Sequence, residues 1–275
     1  MVRKNYFEIL DGLGFNPEKE LEHLITLLKQ NKFYNGYYSY SLFDTASDNF
    51  LSYKNRLTFI EFEAFLKYVW QNAENSTEML FLTAEVLNDI FKDLLDRFSS
   101  EQRAYIENAI LHNIGKFLDL ANHEMIEVDD GREIIVEKNV YASQVSQIIS
   151  ETNIHEAIKV LEYNHFANKG NVERKREILI SLAKYLEPLR NELNSSEELK
   201  EVLKINNGKI SAVGKLFEMY NQFGLRHNNS KQYHNSMTEE ECERWYDDIY
   251  TSILFVVLSL DEAQILSRLN QLKST

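Results

Sequence analysis

Helix breakers are scarce in this chain: 2 prolines and 9 glycines are spread over 275 residues. Proline lacks the backbone N–H and glycine carries excess conformational entropy, so their scarcity favours long, uninterrupted helices. The apolar spacing agrees. Phe59, Phe62, Leu66, Val69 and Trp70 fall on one helical face, and Leu80, Ala84, Leu87, Phe91 and Leu94/Leu95 fall on another. Ser99 followed by Gln102 reads as a capping box that opens a helix through Tyr105, Ala109, Ile110 and Ile114.

One β element interrupts the pattern. Glu124–Val128 and Glu133–Val136 flank Asp129-Asp130-Gly131-Arg132, and Asp-Gly is a strong hairpin turn. Leu21 to Leu28 is expected to be helical. Tyr34-Asn35-Gly36-Tyr37-Tyr38-Ser39-Tyr40 is expected to be a loop, its tyrosines forming a small aromatic subcore or, alternatively, stacking on bases or on a partner protein. After Tyr141 four helices are expected, followed by a polar turn and a final helix. The first runs from Ser143 to Asn164 and the second from Val172 to Asn191. A short one starts at Ser195-Ser196-Glu197-Glu198, and Ile210 to Phe223 forms another. Thr238 and Glu241 cap the last helix, whose apolar stripe is Cys242, Trp245, Tyr246, Ile249, Ile253, Val256/Val257 and Leu260. The expected fold is therefore mainly all-α. An N-terminal helical domain spans 1–140 with one hairpin near 124–137, and a C-terminal helical bundle spans 141–275.

Bulk properties narrow the function. No run approaches the ~20 uninterrupted apolar residues of a membrane span, so no membrane partner is expected. Arg3 and Lys4 have no apolar run behind them, which argues against a secretory signal. The single cysteine, Cys242, allows no internal disulfide and points to the cytoplasm. The net charge of −13 opposes long-range attraction of nucleic acid, which favours basic domains. A local basic site still acts within a Debye length of about 8 Å. Between Lys209 and His234 the charged residues are Lys209, Lys215, Arg226 and Lys231 against Glu218 alone.

That segment contains the chain's most chemically loaded stretch, Leu225-Arg226-His227-Asn228-Asn229-Ser230-Lys231-Gln232-Tyr233-His234. Arginine is a permanent, forked phosphate ligand, and histidine exchanges protons near neutral pH. Together they suffice to cleave RNA without a metal. The competing interpretation is structural: Arg226 and Asn228 as helix C-capping groups, and His227 bonded to a carbonyl.

Lys175-Arg176-Glu177-Ile178-Leu179, Leu186-Glu187-Pro188-Leu189-Arg190, Leu216-Phe217, Tyr220-Asn221 and Gly224-Leu225-Arg226-His227-Asn228-Asn229 resemble the C-terminal half of AbiJ-like abortive-infection proteins, in the HEPN superfamily of helical bundles. The resemblance covers roughly Tyr141 to Thr275. It implies a homodimer through the C-terminal bundle and an endoribonuclease that uses no cofactor and no metal in defence against phage. Arg226 matches the family's arginine and His227 its polar neighbour. His234 follows Arg226 after seven intervening residues, one more than the family's spacing. The resemblance implies that Arg226 clamps phosphate, that His227 or His234 is the base, and that Asn228 orients the histidine or the phosphate. Asn229, Lys231 and Tyr233 would contact flanking RNA. The alternative from another class is a non-catalytic helical module that binds protein or RNA, antitoxin-like or regulatory.

Other polar residues offer less. His112, His123, His155 and His165 lack ligand-spaced partners, the acidic residues do not fit a calcium loop, and Gly12-Leu13-Gly14 is too short for a phosphate loop. Cys242 is expected in the core.

Overall fold

A computed structural model describes residues 14–203, 205, 206, 209–226 and 236–274. The chain is mainly α-helical and divides into two compact units, Met1–Ile135 and Val136–Thr275.

The first unit opens with α1 (Pro17–Lys29), where Pro17 takes the first turn and the Asn16 side chain accepts from Lys19 N. A short hairpin follows, β1 (Phe33–Tyr34) and β2 (Ser39–Tyr40), with Phe33 opposite Tyr40 and Tyr34 opposite Ser39. A loop was expected here, and two-residue strands are too short to leave an alternating signature. Next come α2 (Leu42–Asn49), α3 (Phe62–Gln71) and α4 (Ser76–Asp93). The helix expected from Phe59 begins at Phe62 instead. Ser99 and Gln102 form the expected capping box at α5 (Ser100–Tyr105). The chain then continues through a π-helical turn, Ile106–Leu111, into α6 (His112–Leu120). The Asp-Gly hairpin forms as expected from β3 (His123–Glu127) and β4 (Glu133–Glu137), with Gly131 at φ +80° in the turn. Helix α1 packs on α4, α2 and α6. Their core is rich in rings: Phe50 lies 5.6 Å from both Phe62 and Phe65, centroid to centroid.

The second unit is a helical bundle. The expected helix from Ser143 to Asn164 is two, α7 (Val140–Ser150) and α8 (Ile154–Glu162). Asn153 breaks it by capping Glu156 N, and small Ser146 lets the pair approach closely, its Oγ donating to Ala157 O at 2.8 Å. The expected helix from Val172 to Asn191 is also split. Helix α9 (Val172–Leu186) stops just before Pro188, which has no N–H to extend the ladder, and α10 (Arg190–Ser195) follows. Ser196 caps α11 (Glu197–Val202). A third small hairpin, β5 (Ile205–Asn206) and β6 (Lys209–Ile210), leads into α12 (Ser211–Gln222). Thr238 and Glu241 exchange capping hydrogen bonds at the head of α13 (Glu239–Ser274).

Helix α13 is the spine of this unit, packing against α7, α9, α11 and α12. Its stripe of Tyr246, Ile249, Ile253, Val256 and Val257 is buried with Ile178, Leu182, Leu216, Phe217 and Tyr220. Cys242 is buried on the same stripe, as expected, whereas Trp245 is partly exposed. By length and composition alone α13 is also apolar enough to cross a bilayer, although one face of it here forms core.

Candidate functional site

The end of α12 sets the position of Arg226. Val213, Leu216, Phe217 and Tyr220 bury one face of the helix. Gly224 then enters the left-handed region at φ +66°, and Leu225 N donates to Tyr220 O at 2.9 Å. This is a Schellman-type stop, in which glycine supplies the left-handed turn and the following apolar residue anchors to the helix. Leu225 is accordingly buried. Capping is thus completed by Gly224 and Leu225, and Arg226 emerges next to a fixed backbone with its side chain released from that task.

The Arg226 guanidinium is held on two sides. Nε lies 2.6 Å from Glu187 Oε2, and Nη1 donates to Asn221 Oδ1 at 3.1 Å. The Glu187 contact is short but poorly directed, since no hydrogen bond reaches the buried Oε2. Charge rather than alignment therefore holds that pair. Among the described residues nothing accepts from Nη2. The Arg226 side chain keeps 21% exposure, so it is neither sealed in the bundle nor free in solvent.

A second guanidinium sits beneath. Arg176 Nη2 donates to Gly224 O at 3.1 Å, tying α9 to the turn that carries Arg226. Its positive charge partly offsets the effect of burial on the Tyr246 phenol, which is still pushed up to about 12. Tyr220 Oη is buried with no hydrogen-bond partner. Burial, followed by the negative charge of Glu187, pushes its phenol well up, so it stays a neutral O–H. Two cations, one carboxylate and two neutral phenols therefore gather where α12 ends.

A separate polar network lies among α8, α9 and α13. Buried Lys175 Nζ donates to Glu243 Oε1 at 2.8 Å and to Asp247 Oδ1 at 2.7 Å, and sits 5.4 Å from the Tyr163 ring centroid. Tyr163 Oη also donates to Asp247 Oδ1, and its ring stacks on Tyr250 at 4.0 Å. Buried Glu162 pairs with Lys159 and Arg174. Every charge here has a partner, as burial demands.

Of the predicted site residues, Arg226 alone is described. His227, Asn228, Asn229, Lys231, Tyr233 and His234 lie outside the described residues. Arg176, Glu187, Tyr220 and Asn221 belong to the stretches that carry the family resemblance, which gives them no role. Asn221 sits five residues before Arg226, on the last turn of α12, and was reachable from that proximity. Glu187 and Arg176 meet Arg226 and its turn only through tertiary packing. Lys175 left one overlooked signal, a lysine one turn before Ile178/Leu179 on the apolar stripe of α9. Comparison with protein-family models, with curated proteins and with solved structures gives no match to this chain.

Proposed function

We propose that the second unit carries a metal-independent endoribonuclease site of the HEPN type, acting as a cytoplasmic homodimer in abortive-infection defence against phage. The observation that supports it is Arg226, set beside a fixed helix stop with Nε and Nη1 engaged and Nη2 without a described partner. A guanidinium oriented in this way suits the equatorial oxygens of a phosphodiester. A base, His227 or His234, takes the ribose 2′-OH proton, and the 2′-oxygen attacks the adjacent phosphorus. The 5′-oxygen leaves with a proton from a general acid, giving a 2′,3′-cyclic phosphate. Arg226 offsets the charge that builds on phosphorus, a contribution of about 2.7–4 kcal/mol for one well-placed donor. Asn228 orients the histidine or the phosphate, and Asn229, Lys231 and Tyr233 hold flanking nucleotides.

The test is cleavage of RNA by purified protein, by Arg226→Ala and by His227→Ala. Loss of cleavage in the variants supports the assignment, and equal activity in all three overturns it.

A second function class has its own support. The contact between Arg226 and Glu187, together with the charge of −13, fits a non-catalytic helical module that binds protein or RNA. Expression separates the two. A nuclease harms its host and Arg226→Ala relieves the harm, whereas a binding module is tolerated at high level.

A further inference from the structure

Of the tyrosine cluster expected as a subcore, Tyr40 alone is even partly buried. In the β1–β2 hairpin Phe33 is buried, but Tyr34, Tyr37 and Tyr38 are 66%, 91% and 62% exposed. Three large rings standing largely in water within five residues carry an apolar hydration cost, and the ring contact of Tyr38, edge-on to Tyr40, stays within the hairpin itself. Their backbone is held firmly. Asn35 Oδ1 accepts from both Tyr37 N and Tyr38 N at 3.1 Å, Asn35 N donates to Tyr38 O, and Tyr34 Oη donates to Gly36 O at 2.8 Å. Gly36, at φ +93°, makes the turn. Below the tip, Phe33 packs edge-on against Tyr105 and anchors the hairpin to the unit.

The charge of this stretch of sequence departs from that of the chain. From Lys29 to Phe43 there is no acidic residue, although the protein carries −13 overall. Lys29 and Lys32 are exposed, each ammonium lies over an aromatic ring rather than on a carboxylate, and neither is ion-paired among the described residues. The nearest acid in sequence, Asp44, is occupied in the cap with Ser41 N and Oγ. Exposed aromatic faces flanked by lysines that meet no carboxylate among the described residues match a polyanion whose bases are unstacked. A protein partner would need no such local reversal of charge.

We infer that the β1–β2 hairpin is a docking surface for single-stranded RNA, with Tyr34, Tyr37 and Tyr38 stacking on bases and Lys29 and Lys32 meeting phosphates. The inference rests on the RNA reading above but not on cleavage. It deepens that reading by giving the first unit a part in holding substrate.

The probe is a labelled 2′-O-methyl RNA of roughly 12 nucleotides, which cannot undergo 2′-oxygen attack, titrated with the 275-residue protein and read by anisotropy. Tyr37→Ala or Tyr38→Ala weakens binding roughly tenfold, while Tyr37→Phe and Tyr38→Phe retain it, because stacking needs the ring and not the hydroxyl. Lys29→Gln and Lys32→Gln each flatten the salt dependence by about 0.7 in the log–log slope. A duplex of the same sequence binds more weakly. Unchanged affinity in a Tyr34→Ala, Tyr37→Ala, Tyr38→Ala triple variant overturns the inference, as does failure of the wild-type protein to bind any single-stranded RNA. Cleavage of unmodified RNA by a protein whose binding ignores the tyrosines overturns the hairpin's role and leaves the nuclease standing. Binding that follows the tyrosines without any cleavage supports the hairpin and overturns the nuclease.

Discussion

Arg226 Nε lies 2.6 Å from Glu187 Oε2, joining the fourth residue past α12 to the residue just past α9. Both side chains stay partly in water, so the pair is screened and worth less than a buried one. A double-mutant cycle with Glu187→Gln and Arg226→Gln is expected to give a coupling of about 0.5–1 kcal/mol in urea denaturation. The coupling should shrink in high salt. A cycle with no coupling would show the contact to be energetically idle.

Lys175 is more deeply committed. Replacing it by Ala strands Glu243 and Asp247 beside the Tyr163 and Tyr250 rings. Breaking a fully buried pair costs about 3–5 kcal/mol; with Glu243 and Asp247 partly solvated, roughly 2–3 kcal/mol is expected from chemical denaturation. The pair also makes stability pH-dependent. Burial raises the Glu243 carboxyl, but the Lys175 and Gly170 hydrogen bonds and nearby lysine charge outweigh it, leaving it below its ordinary 4.5. Its contribution is therefore present above that value and is lost as the pH falls through the lower, folded one. Acid titration of Lys175→Ala should show a shallower loss of stability over that window than the wild-type protein.

At α5 the Ser99 Oγ accepts from Gln102 N while Gln102 Oε1 accepts from Ser99 N. Ser99→Ala removes one half of this reciprocal cap and should lower stability by about 1 kcal/mol. Thermal unfolding would register the loss, and Ser99→Asp should recover most of it.

Cys242 tests the interior near the head of α13. Burial pushes its thiol up, and the charges of Glu241 and Glu239 add to the shift, so thiolate is scarce at neutral pH. Reaction with a disulfide reagent should be slow in the native protein and complete within the dead time in denaturant. Rapid native labelling would show that this end of the helix opens.

The features legible in the sequence are those written within a few residues. Ser99 with Gln102, Thr238 with Glu241, and Asp130-Gly131 each encode a local hydrogen-bond pattern, and each forms as expected. The break between α7 and α8 was also encoded, by Asn153 three residues before Glu156, but the continuing apolar spacing from Ile149 to Ile154 masked it. At the candidate site the stop at Gly224 was readable as a helix end. The partners of Arg226 were not. Glu187 and Arg176 belong to another helix segment, and nothing in either stretch specifies which carboxylate or carbonyl it will meet. Exposure of Tyr37 and Tyr38 was equally hidden, because sequence does not say which side of a two-residue strand finds a neighbour.

The placement of α13 has a consequence for how the protein is made. Four other helices of the second unit close upon this one, and its buried residues extend as far as Ala263. On the ribosome the first unit can finish its ring-filled interior while the second is still being translated. The second must wait, its apolar faces open, until that helix has left the exit tunnel as far as Ala263. Over that interval this half of the molecule holds in water the apolar faces that its finished bundle covers.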